Sequence, residues 1–232
     1  LNPTGSFKDR GTTIEITKAM EFGVKEVVCA STGNMGASVA AYSARAGIKS
    51  TIYVPKIATK EKILQIKAYG SDIVNVNGDY EDALNATKIL RKQRHIYLTG
   101  DYPYRGEGEK SIGFEIIDQL NWQVPDYIVC PVGNATMIYS VFKAVSELKE
   151  VGLINTLPKI VAVQSKNCNP LVKAFNSGYK IKSIKNPDTI ASAIACGNPV
   201  DGMKALYGLK KSHGIAVDVT EKEIIQARKE LG

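Results

Sequence analysis

Short apolar runs alternate along the chain with longer stretches whose apolar residues recur at helical spacing. Runs at 26–30, 50–54, 72–76, 96–98, 126–132, 159–164 and 215–219 are rich in Val, Ile, Tyr or Cys. That composition over so few residues predicts strands. Between them, 7–20, 37–44 and 58–69 read as helices, the last with Ile63 and Ile66 on one side. Tyr80, Ala83, Leu84, Thr87 and Leu90 form a stripe at helical spacing, and a further helix carries Phe114, Ile117 and Leu120. Ile138, Val141, Phe142, Val145 and Leu148 form the strongest stripe. The stretch up to Thr189 is polar and irregular. The last helix, 221–231, is capped by Thr220, with Glu223 at the capping-box position. Repeated βα units joined by short loops predict parallel sheets with helices on both faces. No internal repeat is present.

Length and charge narrow this picture. A chain of 232 residues makes one large or two modest domains. The net charge of +7 comes from lysines scattered over helix faces, with no dense run and no interleaved aromatics. Such a pattern argues for solvated faces rather than nucleic-acid binding, and the excess favours anionic small-molecule substrates. No apolar run approaches the roughly 20 residues of a membrane span, and no signal peptide is visible. The chain begins at Leu1 inside a motif and stops at Gly232 directly after a predicted helix, so the expectation is an internal piece of a longer protein. Cys29, Cys130, Cys168 and Cys196 form no CxxC pair, and His95 and His213 are isolated. No metal site is indicated, and a reducing cytoplasm is the expected setting.

Candidate chemistry concentrates in three places. Asn2-Pro3-Thr4-Gly5 is a turn in which Pro3 fixes one φ and Gly5 frees another. Ser6 is expected to cap the helix that follows, with Lys8 and Arg10 in its first turn. Cations are disfavoured there by about 0.3–1 kcal/mol, and Asp9 offsets only part of this. A lysine that loses its charge suits the position; the alternative is a solvated surface lysine. The second place is Ser31-Thr32-Gly33-Asn34-Met35-Gly36, a strand-to-helix turn whose N–H groups make a seat for an anion, or a plain tight turn. The third is Gly133-Asn134-Ala135-Thr136, another strand–Gly-turn–helix unit. It lacks the second and third glycines of the dinucleotide fingerprint. Gly108 to Ser111 is no P-loop, because Glu109 separates the glycine from Lys110.

Residues 2–11, Asn-Pro-Thr-Gly-Ser-Phe-Lys-Asp-Arg-Gly, resemble the lysine motif of the fold-type-II pyridoxal-phosphate (PLP) enzymes, and most closely that of the threonine synthase family. The resemblance extends over nearly the whole chain. It implies an α/β fold of the tryptophan synthase β type, with two domains of parallel-rich twisted sheets and helices on both faces. Residues 1–30 and 105–232 would form a large PLP-binding domain, and 31–104 a smaller mobile domain that closes over the site. Lys8 would hold the cofactor's aldehyde, with Phe7 beside it. Ser31, Thr32, Gly33, Asn34 and Met35 resemble the family's S-T-G-N loop, which implies substrate-carboxylate contacts and, for Asn34, the cofactor's ring hydroxyl. Val132, Gly133, Asn134, Ala135 and Thr136 resemble its phosphate loop. Arg105 and Lys110 resemble a segment near the substrate's own phosphate, and 189–199 a T-x-A-S-A-I…G-N-P segment. Lys8, Asn34 and Gly133 are expected to converge on one cleft at the strand C-termini.

This chain also departs from the family pattern. Thr136 and Met137 stand where the phosphate loop continues with Gly-Asn, and Met35 where threonine is common. Thr136 would keep its N–H and add a hydroxyl donor. The residue facing the pyridine nitrogen falls outside this chain. The implied activity is conversion of O-phosphohomoserine and water to threonine and phosphate by a cytoplasmic homodimer. The alternatives are a serine/threonine dehydratase, a β-replacement synthase such as cysteate synthase, and a catalytically silent PLP-binding regulator. A nucleotide-binding protein is disfavoured by the missing phosphate fingerprints.

Overall fold

A computed structural model describes residues 2–31, 33–56, 58–93, 96–100 and 103–231. Thr32, His95 and Tyr102 lie outside the described residues. The chain divides into two compact units, 1–108 and 109–232.

The first unit contains α1 (Lys8–Glu21), β1 (Glu26–Ala30), α2 (Asn34–Ala46), β2 (Lys49–Pro55), α3 (Lys60–Ala68), β3 (Asp72–Val76), α4 (Tyr80–Gln93), β4 (Tyr97–Thr99) and the start of α5 (Pro103–Glu109). Its four strands run parallel in the order β3-β2-β1-β4. Val27 and Cys29 of β1 face a core with Ile16 and Ala19 of α1, Val39 of α2, Ile52 and Val54 of β2, and Ile66 of α3. Val28 points to the opposite face, where Leu90 of α4 and Leu98 of β4 pack. Helices therefore cover both faces, as parallel strands require. Gly36 lets α2 sit close to the sheet, since a Cβ there would lie 2.9 Å from Ile52 Cγ2.

Segment 1–30 was expected to join 105–232. Instead β1 hydrogen-bonds between β2 and β4, and α1 packs on α2. The pairing of β1 carries both elements into the first unit, whose boundary falls after Gly108.

The second unit contains α6 (Ser111–Gln119), β5 (Tyr127–Pro131), α7 (Thr136–Glu150), β6 (Lys159–Ser165), α8 (Pro170–Asn176), α9 (Gly202–Lys211), β7 (Ile215–Val219) and α10 (Glu221–Glu230). Its strands are parallel in the order β5-β6-β7. The stripe predicted on α7 is buried throughout, against Ile128, Cys130, Ile160 and Ala162 of the sheet and Leu206 and Leu209 of α9. Burial pushes the Cys130 thiol up to about 12, so it behaves as a small apolar residue. β5 was expected to be buried but alternates. Ile128 and Cys130 face the core, while Tyr127 and Val129 are exposed, Val129 by 63%. Exposed Ile215 and Val217 of β7 continue that row.

Three further differences have local causes. Pro103 opens α5, and the expected single helix after it breaks at Lys110 into α5 and α6. α8 starts with Pro170 at its first position, inside the stretch read as irregular. α9 was not expected, because Gly202 and Gly208 lower helix propensity. Gly208 is there for packing: a Cβ would meet the Phe142 ring at 2.9 Å. Among the described residues no helix is long and apolar enough to cross a membrane.

Candidate functional site

Lys8 is the first residue of α1 and is half-buried, with its Nζ 4.4 Å from the centre of the Phe7 ring. The turn before it closes by a bond from the Gly5 N–H to the Asn2 carbonyl, with Gly5 at φ +77°. Ser6 was expected to cap α1. Phe7 occupies the cap position instead, and the Ser6 hydroxyl receives only the Lys8 N–H, at 3.3 Å. Asp9 takes over the anchoring. Its buried carboxylate accepts from the Thr4 N–H at 2.8 Å, the Thr4 hydroxyl at 2.7 Å and the Ser38 hydroxyl at 2.7 Å. Gln65 of α3 donates to the Thr4 carbonyl at 3.1 Å. The lysine's turn is thus held by α1, α2 and α3 together.

Beneath it lies a charge pair. Arg105 and Glu15 are both 0% exposed, and Arg105 Nη2 lies 2.7 Å from Glu15 Oε2. The same guanidinium donates to Thr12 Oγ1 at 2.9 Å, the Gly100 carbonyl at 2.8 Å and the Lys8 carbonyl at 3.3 Å. Glu15 Oε1 accepts the Gly100 N–H at 2.7 Å. Arg105 was expected to reach an open cleft mouth. It is instead inside the first unit, because Gly11 leaves room for it: a Cβ at Gly11 would lie 2.7 Å from Arg105 Cγ. Gly108 lets α5 touch α1, since its Cβ would fall 2.1 Å from the Arg10 carbonyl oxygen.

At the start of α2, Ser31 Oγ accepts the N–H groups of Gly33 at 3.0 Å and Gly36 at 2.8 Å. Ser31 therefore holds the loop from inside. Asn34 and Met35 are half-buried on the first turn, and Met35 packs on the first core. Ser38, one turn on, ties this helix to Asp9. The structure so brings Lys8 and the 31–36 loop onto neighbouring helix starts within one unit.

In the second unit, buried Val132 leads from β5 into Gly133 and Asn134. Ala135 precedes α7 at φ +70°, a left-handed conformation that costs a non-glycine residue about 1 kcal/mol. A Cβ on Gly133 would lie 3.2 Å from Ile194 Cα, so the 189–199 segment does lie against this loop. Asn134 accepts from Cys196 Sγ at 3.0 Å through its side chain and from the Asp201 N–H at 3.0 Å through its carbonyl. The Thr136 hydroxyl was expected to be a donor for the phosphate. It donates instead to Asp201 Oδ2 at 2.8 Å. Lys110 is held by both carboxylate oxygens of Glu147, at 3.0 and 2.8 Å.

The pyridoxal-phosphate dependent enzyme family matches residues 1–232. The chain belongs to the pyridoxal-phosphate-dependent enzymes. Threonine synthase of Methanocaldococcus jannaschii is 49% identical over 234 residues, 99% of this chain and 58% of that protein. Threonine synthase of Methanosarcina acetivorans is 46% identical over 235 residues, 100% of this chain and 58% of that protein. The chain thus spans less than two thirds of these relatives. Among solved structures, a threonine deaminase from T.th. superposes with a TM-score of 0.83 at 21% identity, covering 99% of this chain and 72% of that one. Maize serine racemase gives 0.80 at 23%, covering 98% and 66%. These likenesses carry the fold: the PLP-enzyme fold of type II.

The residues present fit a PLP cofactor. Lys8 offers a primary amine on an anchored turn, and a glycine turn opens α7, where first-turn N–H groups lack intrahelical acceptors. Asp9, Thr12, Glu15 and Ser38 were not singled out as site residues. Nothing in the spacing of Asp9 and Glu15 says that both will be buried.

Proposed function

We propose that this chain carries the lysine-bearing and phosphate-binding parts of a threonine synthase, acting on O-phosphohomoserine and water to give threonine and phosphate. The observation that carries this reading is the 49% identity to a threonine synthase over 99% of the chain. When bound, PLP supplies an electron sink for charge that develops next to the substrate's amino group. Lys8 would hold its aldehyde, and the amine of Lys8 would move protons at the substrate's Cα and Cβ. Phe7 packs against that lysine. Asn34 would meet the ring, and the backbone of Val132, Gly133, Asn134, Ala135 and Thr136 would hold the cofactor's phosphate. Ser31, Thr32, Gly33, Asn34 and Met35 orient the substrate's carboxylate.

Arg105 and Lys110 belong to this reading on one condition each. Substrate phosphate must meet Arg105 in competition with Glu15, and Lys110 in competition with Glu147, since those carboxylates hold them now. The chain's net charge of +7 favours an anionic substrate. Closure of one domain over the site, a homodimer and a cytoplasmic setting complete the proposal.

The test uses the full-length protein. Phosphate release from O-phosphohomoserine should greatly exceed deamination of threonine or serine. Lys8→Ala should abolish both turnover and the cofactor trapped on the chain by borohydride. Deamination outpacing phosphate release would make the protein a dehydratase, and trapping without turnover on either substrate would mark a silent PLP-binding homologue.

A further inference from the structure

We infer that Glu15 is a positioning residue for Lys8, acting through Arg105; this rests on the reading of Lys8 as the cofactor's lysine. Glu15 lies two turns along α1 from Lys8 and faces the interior of the first unit. Two of the groups it accepts from, Arg105 Nη2 and the Gly100 N–H, are obligate donors. Arg105 in turn donates to the Lys8 carbonyl and to Thr12 Oγ1, and the Thr12 hydroxyl donates to the Lys8 carbonyl at 3.0 Å. The Gly100 carbonyl, at the end of β4, accepts from Arg105 Nε. One carboxylate therefore locks the β4 end, the α5 arginine and the first turn of α1 into a single arrangement.

The chemistry of the pair makes the charge matter as well as the shape. Replacing Glu15 by Gln presents an N–H to one of two N–H donors, so one buried donor loses its acceptor whichever way the amide turns. It also removes the negative charge that lies 2.7 Å from the buried guanidinium, and breaking one side of a buried pair is costlier than replacing the whole pair by apolar residues. Arg105 then relaxes, and the Lys8 carbonyl loses one of its donors and keeps the Thr12 hydroxyl. Asp9 behaves differently. Its Oδ1 faces two hydroxyls, which can rotate to accept from an amide, and Oδ2 faces the Thr4 N–H. Asn at position 9 satisfies all of these partners, so a Gln at 15 and an Asn at 9 give opposite outcomes from the same chemical change.

The experiment compares full-length wild type, Glu15→Gln, Asp9→Asn and a Glu15→Met/Arg105→Met double variant. Three quantities are read: the dissociation constant for PLP, the rate at which borohydride fixes it to the Lys8 peptide, and Tm. The expected result is at least tenfold weaker binding and tenfold slower trapping at Lys8 in Glu15→Gln, measured below its Tm, with Asp9→Asn within about twofold of wild type. The double variant should fold, because both charges leave together, and should still trap slowly, because the Lys8 carbonyl has lost Arg105. A lowered Tm with binding and trapping unchanged in a folded Glu15→Gln or double variant would overturn the inference and leave the pair purely structural. Failure of wild type to trap PLP on Lys8 would instead overturn the reading of Lys8.

Discussion

The two helix starts that carry the candidate site are built on opposite principles. The start of α1 is fixed by charge: Asp9, Glu15 and Arg105 are buried, Asp9 and Arg105 are bonded to backbone and hydroxyl groups, and Glu15 to Arg105 and the Gly100 N–H. The start of α7 is fixed by backbone shape. Gly133 fits under Ile194, Ala135 takes a left-handed turn, and Thr136 and Asn134 bond to Asp201 and Cys196. The difference matches what each is proposed to present. A lysine side chain has four rotatable carbons, so its root must be held by a rigid frame. A phosphate is received by backbone N–H groups, so shaping the backbone is enough.

Charge-held and shape-held sites should break differently. The largest effect is expected for Asp9→Ala, which removes three buried hydrogen bonds and strands the Thr4 N–H. A loss of about 3 kcal/mol in unfolding free energy is expected by urea denaturation, against less than about 1 for Asp9→Asn. Equal losses in the two variants would mean that the charge of Asp9, rather than its hydrogen-bond pattern, holds the turn. Thr136→Val should cost about 1 kcal/mol for the lost bond to Asp201, and PLP binding should stay within about threefold. A tenfold loss of PLP affinity would show that the hydroxyl, and not the backbone alone, serves the phosphate.

The smallest effect concerns a third helix start, at the surface. Thr220 and Glu223 form the capping box of α10, with the Thr220 N–H 2.7 Å from Glu223 Oε2. The Thr220 backbone N–H, then its hydroxyl, hold the Glu223 carboxyl below its ordinary 4.5. A lowered folded value means that the contribution is present above 4.5 and is lost as pH falls through the folded value. The start of α10 should therefore fray only below about pH 4.5. Amide exchange at residues 221–223 checks this, and fraying already at pH 6 would contradict it.

Periodicity placed most elements to within two or three residues, because α7 buries one striped face and the strands are short apolar runs. The Gly133 and Gly36 turns were legible because glycine before a helix restricts the backbone in few ways. α8 and α9 were not, since Pro170 and two glycines obscure the pattern and only packing against Phe142 and the sheet makes them helices. Arg105 shows the same limit in the site. Its place beside Lys8 in the motif set was readable, but its burial was not, because that depends on Gly11 being opposite it in space.

The sequence by itself determined the alternation of strands and helices, the turn before Lys8, the two glycine turns and the capping box of α10. Each follows from local rules, in which side-chain shape and backbone freedom act over a few residues. Only the tertiary structure decided which charges lie inside. Whether Glu15 and Asp9 face water or Arg105 and Ser38 depends on residues 90 and 29 positions away. A buried carboxylate survives only where those distant donors meet it.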